Sequence, residues 1–339
     1  MYLLELAGED DAFARCEARS AASAVSPLAP GLATARGIDA RSVRGLAYTH
    51  RASELLGTTS GEIDSARLLL ELAGIDREGS VRVRARRVRD TAVDTQRAER
   101  ELGSVLVDRG FSVDLEDPDH ELRAVFSADG AEPRSAERSS GVRSGTPGDG
   151  ICALGWLAAE SRRDFGERMP TDKPFFQPGS MDPLLARAIA NVVGAGPDAT
   201  VLDPMCGTGG VLVEAGLVGA RVIGADAQGK MVRGARENLA HYGVGFDLFR
   251  GDATRIPLRD GSVDGVVFDA PYGRQSKVEG DLAALVEGAL AEARRLAPRA
   301  VVVADRSWAG AAESAGWTVE ERFERRVHRS LTRYVLVLG

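Results

Sequence analysis

Two short segments hold most of the residues whose types and spacing could do chemistry, VLDPMCGTGG at 201–210 and DAPYG at 269–273. In the first, Asp203 ends an apolar run of strand length and a glycine-rich turn follows. There Gly207 and Gly209 permit backbone angles and close approaches that other residues do not. The helix expected after the turn offers free N–H groups at its start, suited to a carboxylate. Two further acids end apolar runs downstream. Asp226 closes RVIGAD 23 residues after Asp203, near the interval of about 20 at which an acid grips ribose hydroxyls in nucleotide-binding folds. Asp252 closes FDLFRGD; its side chain can accept from an adenine amine while the Ala253 backbone addresses the ring edge. Singly, Asp226 or Asp252 fits a helix cap or a turn equally well. Together with the glycine turn, the three acids match the ribose, adenine and amino-acid carboxylate of S-adenosylmethionine. GTGG is not G-x-G-x-x-G, which disfavours a nicotinamide or flavin enzyme. Cys206 reads as a small packing residue beside the cofactor.

The second segment fits a different task. An exocyclic base amine is a poor nucleophile because its lone pair is conjugated into the ring. The Asp269 carboxylate and the Ala270 backbone carbonyl can accept its two N–H bonds and hold the nitrogen in line with a methyl donor. Pro271 shapes the turn, and Tyr272 can stack on the base.

These residues must be held by regular elements. From about 180 onward, helical segments alternate with the short apolar runs TVLDP, RVIGAD, FDLFRGD, GVVFDAPY and AVVVAD. That alternation predicts a parallel sheet covered by helices, with ligands beyond the carboxyl ends of its strands. FERRVHRS and TRYVLVL lie too close together for a crossover helix and should form an antiparallel hairpin at the sheet edge. Ahead of residue 180 the pattern changes. YLLEL reads as a strand and the alanine-rich stretch after it as helix. VRVRARRV (81–88) alternates as a half-exposed strand, 94–110 reads as a helix ending at Gly110, and FSVDLEDPD and HELRAVFS as two more strands. Residues 129–150, dense in Gly, Ser, Pro and charge, read as a mobile loop. The expected organisation is an N-terminal α+β domain over 1–162, a linker over 163–179 and an α/β domain over 180–339.

With these motifs in view, DPMCGTGG, GAD, GDA and DAPYG resemble a class I, Rossmann-like amino-methyltransferase bearing a D/N-P-P-Y motif, with Ala270 where the first proline usually stands. The resemblance implies S-adenosylmethionine as cofactor; Asp203, Cys206, Gly207, Gly209, Asp226, Asp252 and Ala253 as its contacts; and Asp269, Ala270, Pro271 and Tyr272 as the catalytic motif. Asp at 269 leans toward guanine N2 over adenine N6. The strand-helix-strand-strand order of 81–127 resembles a THUMP RNA-binding domain behind a ferredoxin-like region, and KPFFQPGSMDPLLARAIANV (173–192) resembles the hinge into the catalytic domain of THUMP-bearing enzymes. Nearly the whole chain thus resembles the archaeal tRNA guanine-N2 methyltransferases that modify position 10 once or twice. Methyltransferases acting on rRNA guanine, DNA adenine or a protein glutamine, and a non-catalytic RNA-binding protein, remain as alternatives.

Bulk properties bear on partners. The net charge of -7 speaks against nucleic acid when taken alone, yet only three of the 43 basic residues are lysines and the arginines cluster locally, as at Arg82, Arg84, Arg86, Arg87 and Arg89. Phosphate contacts are expected from that group collectively. Three cysteines and four histidines are too dispersed for a disulfide framework or a zinc site, so no metal is expected. No apolar stretch is long enough to span a membrane, and the chain reads as a cytoplasmic monomer.

Overall fold

The computed structural model describes residues 1–89, 91–128, 150–271, 279–328 and 331–339. They divide into two compact units, Met1–Arg162 and Arg163–Gly339. The stretch read as a mobile loop lies, apart from Gly150, outside the described residues.

In chain order the first unit runs β1 (Tyr2–Leu6), α1 (Asp11–Ala18), β2 (Ala22–Ser23), β3 (Ser26–Ala29), β4 (Leu32–Ala35), β5 (Gly37–Ile38), α2 (Ala40–Val43), β6 (Thr49–Ser60), α3 (Ile63–Leu72), β7 (Ser80–Val88), α4 (Thr95–Asp108), β8 (Ser112–Val113), β9 (His120–Ala128) and β10 (Gly150–Glu160). Its main sheet has the order β3-β4-β1-β6-β10-β9-β7-β8. Alternation along β7 buries Val81 and Val83 against Leu102 and Leu106 of α4 and Leu122 of β9. The same period turns Arg82, Arg84 and Arg86 to the other face.

Two expectations for this unit are corrected. The alanine-rich N-terminal stretch is helical only over Asp11–Ala18; the Ser20 N–H and hydroxyl both donate to the Glu17 carbonyl and close the last turn, and beyond it the chain forms paired short strands with Pro27 on the edge strand β3. FSVDLEDPD contributes only the two residues of β8, because the Asp114 carboxylate accepts from the N–H groups of Glu116 and Asp117 and turns the chain.

The second unit continues with α5 (Pro183–Val193), β11 (Thr200–Asp203), α6 (Gly210–Leu217), β12 (Arg221–Asp226), α7 (Gly229–His241), β13 (Phe246–Arg250), β14 (Gly265–Asp269), α8 (Glu279–Leu296), β15 (Ala300–Ala304), α9 (Ala309–Ser314), β16 (Val319–His328) and β17 (Leu331–Leu338). Strand order is β13-β12-β11-β14-β15-β17-β16. The first five are parallel, and β17 joins antiparallel to β15 with β16 as its hairpin partner. This is the α/β, mostly parallel sheet with a C-terminal antiparallel hairpin that the strand spacing predicts. Central strands are apolar on both faces, as helix-covered parallel strands must be: β15 is buried throughout. Local signals set α5 closely. The Asp182 carboxylate accepts from the N–H of Leu184, Pro183 takes the first turn, and Gly194 ends the helix at a φ of 100°.

Residues 163–179 fold onto this unit. Arg168 donates from Nε to the buried Glu214 of α6 at 2.7 Å, and Arg187 of α5 meets the other Glu214 oxygen at 2.7 Å.

Candidate functional site

Parallel pairing of β13, β12, β11 and β14 brings their carboxyl ends to one edge of the sheet, with Asp226, Asp203 and Asp269 as the last residues of three neighbouring strands. Asp203 is 3% exposed and accepts from the N–H of Met205 at 2.9 Å, so it braces the glycine turn from beneath. Burial drives its carboxyl well above the usual carboxylate range, and the charges of Asp226 and Asp269 push it the same way. The three acids therefore lie within electrostatic reach of one another at this sheet edge.

The turn between β11 and α6 is tied down by backbone bonds. Cys206 N–H donates to the Ala225 carbonyl at 2.9 Å and Gly209 N–H to the Cys206 carbonyl at 2.7 Å. Gly207 and Gly209 take φ values of 52° and 76°, a left-handed backbone that favours glycine. Asp226 accepts from Gly207 N–H at 3.0 Å through one oxygen and from Gln228 N–H at 2.8 Å through the other. A carboxylate has about four acceptor positions, so each oxygen keeps one for a ligand hydroxyl. Cys206 is buried, and burial followed by the charges of Asp203 and Asp226 raises its thiol well above its ordinary value, the opposite of what activates a cysteine as a nucleophile.

Asp252 lies two residues beyond β13 and is exposed; one of its oxygens accepts from both the N–H and the hydroxyl of Thr254 at 2.9 Å. Those bonds, the backbone one first, lower its pKa. Ala253 beside it is buried.

Ala270 N–H donates to the Val303 carbonyl at 2.8 Å, which carries the β14–β15 ladder one residue past Asp269. Ala270 is buried and Pro271 exposed, while Tyr272 and Gly273 lie outside the described residues. Asp269 has a cationic neighbour that sequence reasoning missed. Arg333 of β17 is 4% exposed, places Nη2 3.7 Å from Asp269 Oδ2 and donates to the Gly179 carbonyl at 3.4 Å. No local signal marks it; the antiparallel register of β17 on β15 brings it there.

A second group also escaped the motifs. The side chain of Asn238 in α7 accepts from Phe175 N–H and donates to the carbonyls of Phe175 and Thr208, each at 2.9 Å. It ties the KPFFQPG segment to the glycine turn. No local signal marks it, because its burial is set by the packing of α7 in the fold.

In the first unit, the face of the sheet away from α4 holds a cleft of about 400 Å³ lined by Arg51, Arg82, Arg84, Arg86 and Arg123. Arg82 is committed to Glu121, Arg89 to Asp11, and Arg123 to Glu5 through two bonds of 2.9 Å. Arg84, Arg86 and Arg87 make no ion pair among the described residues. Also among the described residues, no group of His, Cys, Asp and Glu side chains could hold a metal ion, and no helix is long and apolar enough to cross a membrane.

A parallel sheet of this order, with a glycine turn after its central strand and acids at the following strand ends, defines an S-adenosylmethionine-dependent methyltransferase. A family profile for the RMKL-like methyltransferase domain matches residues 170–335. The chain is 35% identical over 304 residues to the tRNA (guanine(10)-N2)-dimethyltransferase of Methanothermobacter thermautotrophicus, covering 86% of this chain and 83% of that protein. It is 35% identical to the Pyrococcus abyssi enzyme of the same description over 54% of this chain and 58% of that one. With that of Methanocaldococcus jannaschii it shares 31% identity over 58% and 53%. The chain belongs to the tRNA (guanine(10)-N2)-dimethyltransferase family.

Proposed function

We propose that this enzyme methylates the exocyclic N2 amine of a guanine in tRNA, at position 10, adding one or two methyl groups. The observation that carries the reading is the convergence of Asp226 and Asp269 on one sheet edge around the glycine turn. The cofactor supplies an electrophilic sulfonium methyl. Asp226 holds the ribose through its remaining acceptor positions, Asp252 and the Ala253 backbone address the adenine, and Asp203 and Cys206 shape the turn from below. Asp269 and the Ala270 carbonyl accept the two N–H bonds of the base amine and aim its lone pair, with Tyr272 stacking on the ring. Arg333 holds the Asp269 carboxylate in place.

A guanine within a stacked helix must be flipped into such a pocket, at a cost of a few kcal/mol. The first unit, as a THUMP-type module, offsets that cost by gripping the RNA backbone. Arg84, Arg86 and Arg87 carry its phosphate contacts, since Arg82 and Arg89 are already paired. The enzyme works as a cytoplasmic monomer.

The test is incubation with labelled S-adenosylmethionine and unmodified tRNA, rRNA, DNA or a protein glutamine substrate, followed by digestion and identification of the methylated product. N2-methylguanine from tRNA is expected; transfer to DNA or protein but not tRNA overturns the reading. Asp269→Ala should abolish transfer while cofactor binding stays near the parent value.

A further inference from the structure

The residues assigned to the cofactor lie at and beyond the carboxyl ends of β11, β12 and β13, and Asp269 stands at that of β14. One parallel strand of the sheet remains. β15 pairs with β14 in a register that sets Asp269 opposite Val303, and Ala270 N–H reaches the Val303 carbonyl, so β15 ends at Ala304, one residue past the level of Asp269. Pairing of Ala304 with Tyr334 brings Arg333 to the same edge from the other side. The chain leaves this edge as Asp305, Arg306, Ser307 and Trp308.

The three tryptophans of the chain stand in different surroundings. Trp156 and Trp317 are each 3% exposed, and Trp317 donates from Nε1 to the Leu290 carbonyl at 3.0 Å. Trp308 is half-buried. It packs against the core cluster that contains Ala270, Ala304 and Ala312, and its indole N–H makes no hydrogen bond among the described residues. The Arg306 guanidinium lies 5.9 Å from the ring centroid and pairs with its neighbour Asp305 at 3.3 Å. Core packing on one side anchors the indole, while an accessible remainder and a donor N–H suit contact with a planar polar ligand.

We propose that Trp308 is a stacking platform for an unpaired RNA base, that of the nucleotide next to the guanine delivered to Asp269. Adjacent strands stand ~4.8 Å apart, so the end of β15 is within reach of a nucleotide neighbouring the one at β14. The cofactor's adenine is no candidate for this ring, because three strands separate β15 from β13, whose end carries the adenine contacts. Stacking on an aromatic ring accepts any base, since every base has a π face, and Arg306 adds a cation beside it. The proposal rests on the reading that the acceptor is an RNA base amine aimed by Asp269.

The test is tryptophan fluorescence of the full chain with unmodified tRNA. Because the other two indoles are enclosed, acrylamide should quench the parent protein chiefly through Trp308. Saturating tRNA should shield that emission from acrylamide, and S-adenosylhomocysteine alone should leave it open. Trp308→Ala should raise the KM for tRNA by roughly five- to a hundredfold, with kcat and S-adenosylhomocysteine affinity near the parent values. Trp308→Phe should keep most of the tRNA affinity. Shielding by S-adenosylhomocysteine alone overturns the proposal, as does equal weakening of tRNA and S-adenosylhomocysteine in Trp308→Ala. The shielding measurement needs no variant, which keeps the proposal testable should Trp308→Ala not fold. If the parent protein methylates tRNA yet leaves Trp308 open to acrylamide, the proposal alone fails. If it neither binds nor methylates tRNA, the underlying reading fails and the proposal with it.

Discussion

At the scale of single residues, the acids at the strand ends were visible as a pattern, but their division of labour was not. Asp203 and Asp226 look equivalent in sequence, each closing an apolar run. In the fold Asp203 is almost wholly enclosed while Asp226 keeps part of its carboxylate accessible. This difference has a measurable consequence. The Asp203 pKa is raised above its ordinary value of 3.8, so the folded state binds that proton more tightly than the unfolded chain does. Its contribution to stability is fully present below pH 3.8 and is lost as pH rises through the folded pKa. Asp203→Asn should therefore raise the thermal midpoint of the cofactor-free protein at pH 7 to 8, and the gain should shrink as pH falls toward 4. A series of melting curves across that range checks it; a gain independent of pH would show that ionisation of Asp203 is not its source.

At the scale of elements, the strands and helices of the second unit follow from periodicity and end signals, and the prolines and glycine around α5 mark its bounds almost residue by residue. The segment 163–179 behaves differently. Read as a linker for its charge and prolines, it instead packs through Arg168 and Phe175, whose partners Glu214 and Asn238 lie dozens of residues away. Gly234 shows the cost of missing such contacts. From helix propensity alone, Gly234→Ala in α7 should stabilise by up to about 1 kcal/mol. A Cβ at 234 would, however, stand 1.9 Å from a ring carbon of Phe175, and Asn238 prevents the Phe175 backbone from backing away. The substitution should instead destabilise by about 1–3 kcal/mol through overpacking, seen as a lower thermal midpoint, and Phe175→Leu in the same chain should recover part of the loss. A midpoint at or above that of the parent would show that the segment yields.

At the scale of the whole molecule, a net charge of -7 says little about RNA, because charge of one sign is gathered locally. In the arginine-lined cleft of the first unit, Arg84 and Arg86 have no acidic partner among the described residues, beside other guanidinium groups neutralised by Glu5 and Glu121. Arg84→Ala with Arg86→Ala should weaken tRNA binding at low salt and reduce the slope of log affinity against log salt by about 2, with melting temperature unchanged. Arg82→Ala should mainly lower stability, because it removes one of the two cationic partners of Glu121, which is largely buried and keeps only Arg123. An unchanged salt slope in the double variant would place the phosphate contacts elsewhere. The sequence by itself determined the sheet-forming runs, the glycine turn and the acids at strand ends, since these rest on periodicity and on residue types within a few positions of one another. Only the tertiary structure decided which arginines lack an acidic partner among the described residues, that β6 with its polar sequence is an interior strand of the first sheet, that Asn238 ties Phe175 to the glycine turn, and that Arg333 reaches Asp269. Those facts depend on pairing between residues far apart in the chain, and burial and charge neutralisation are properties of that pairing that no local window of sequence contains.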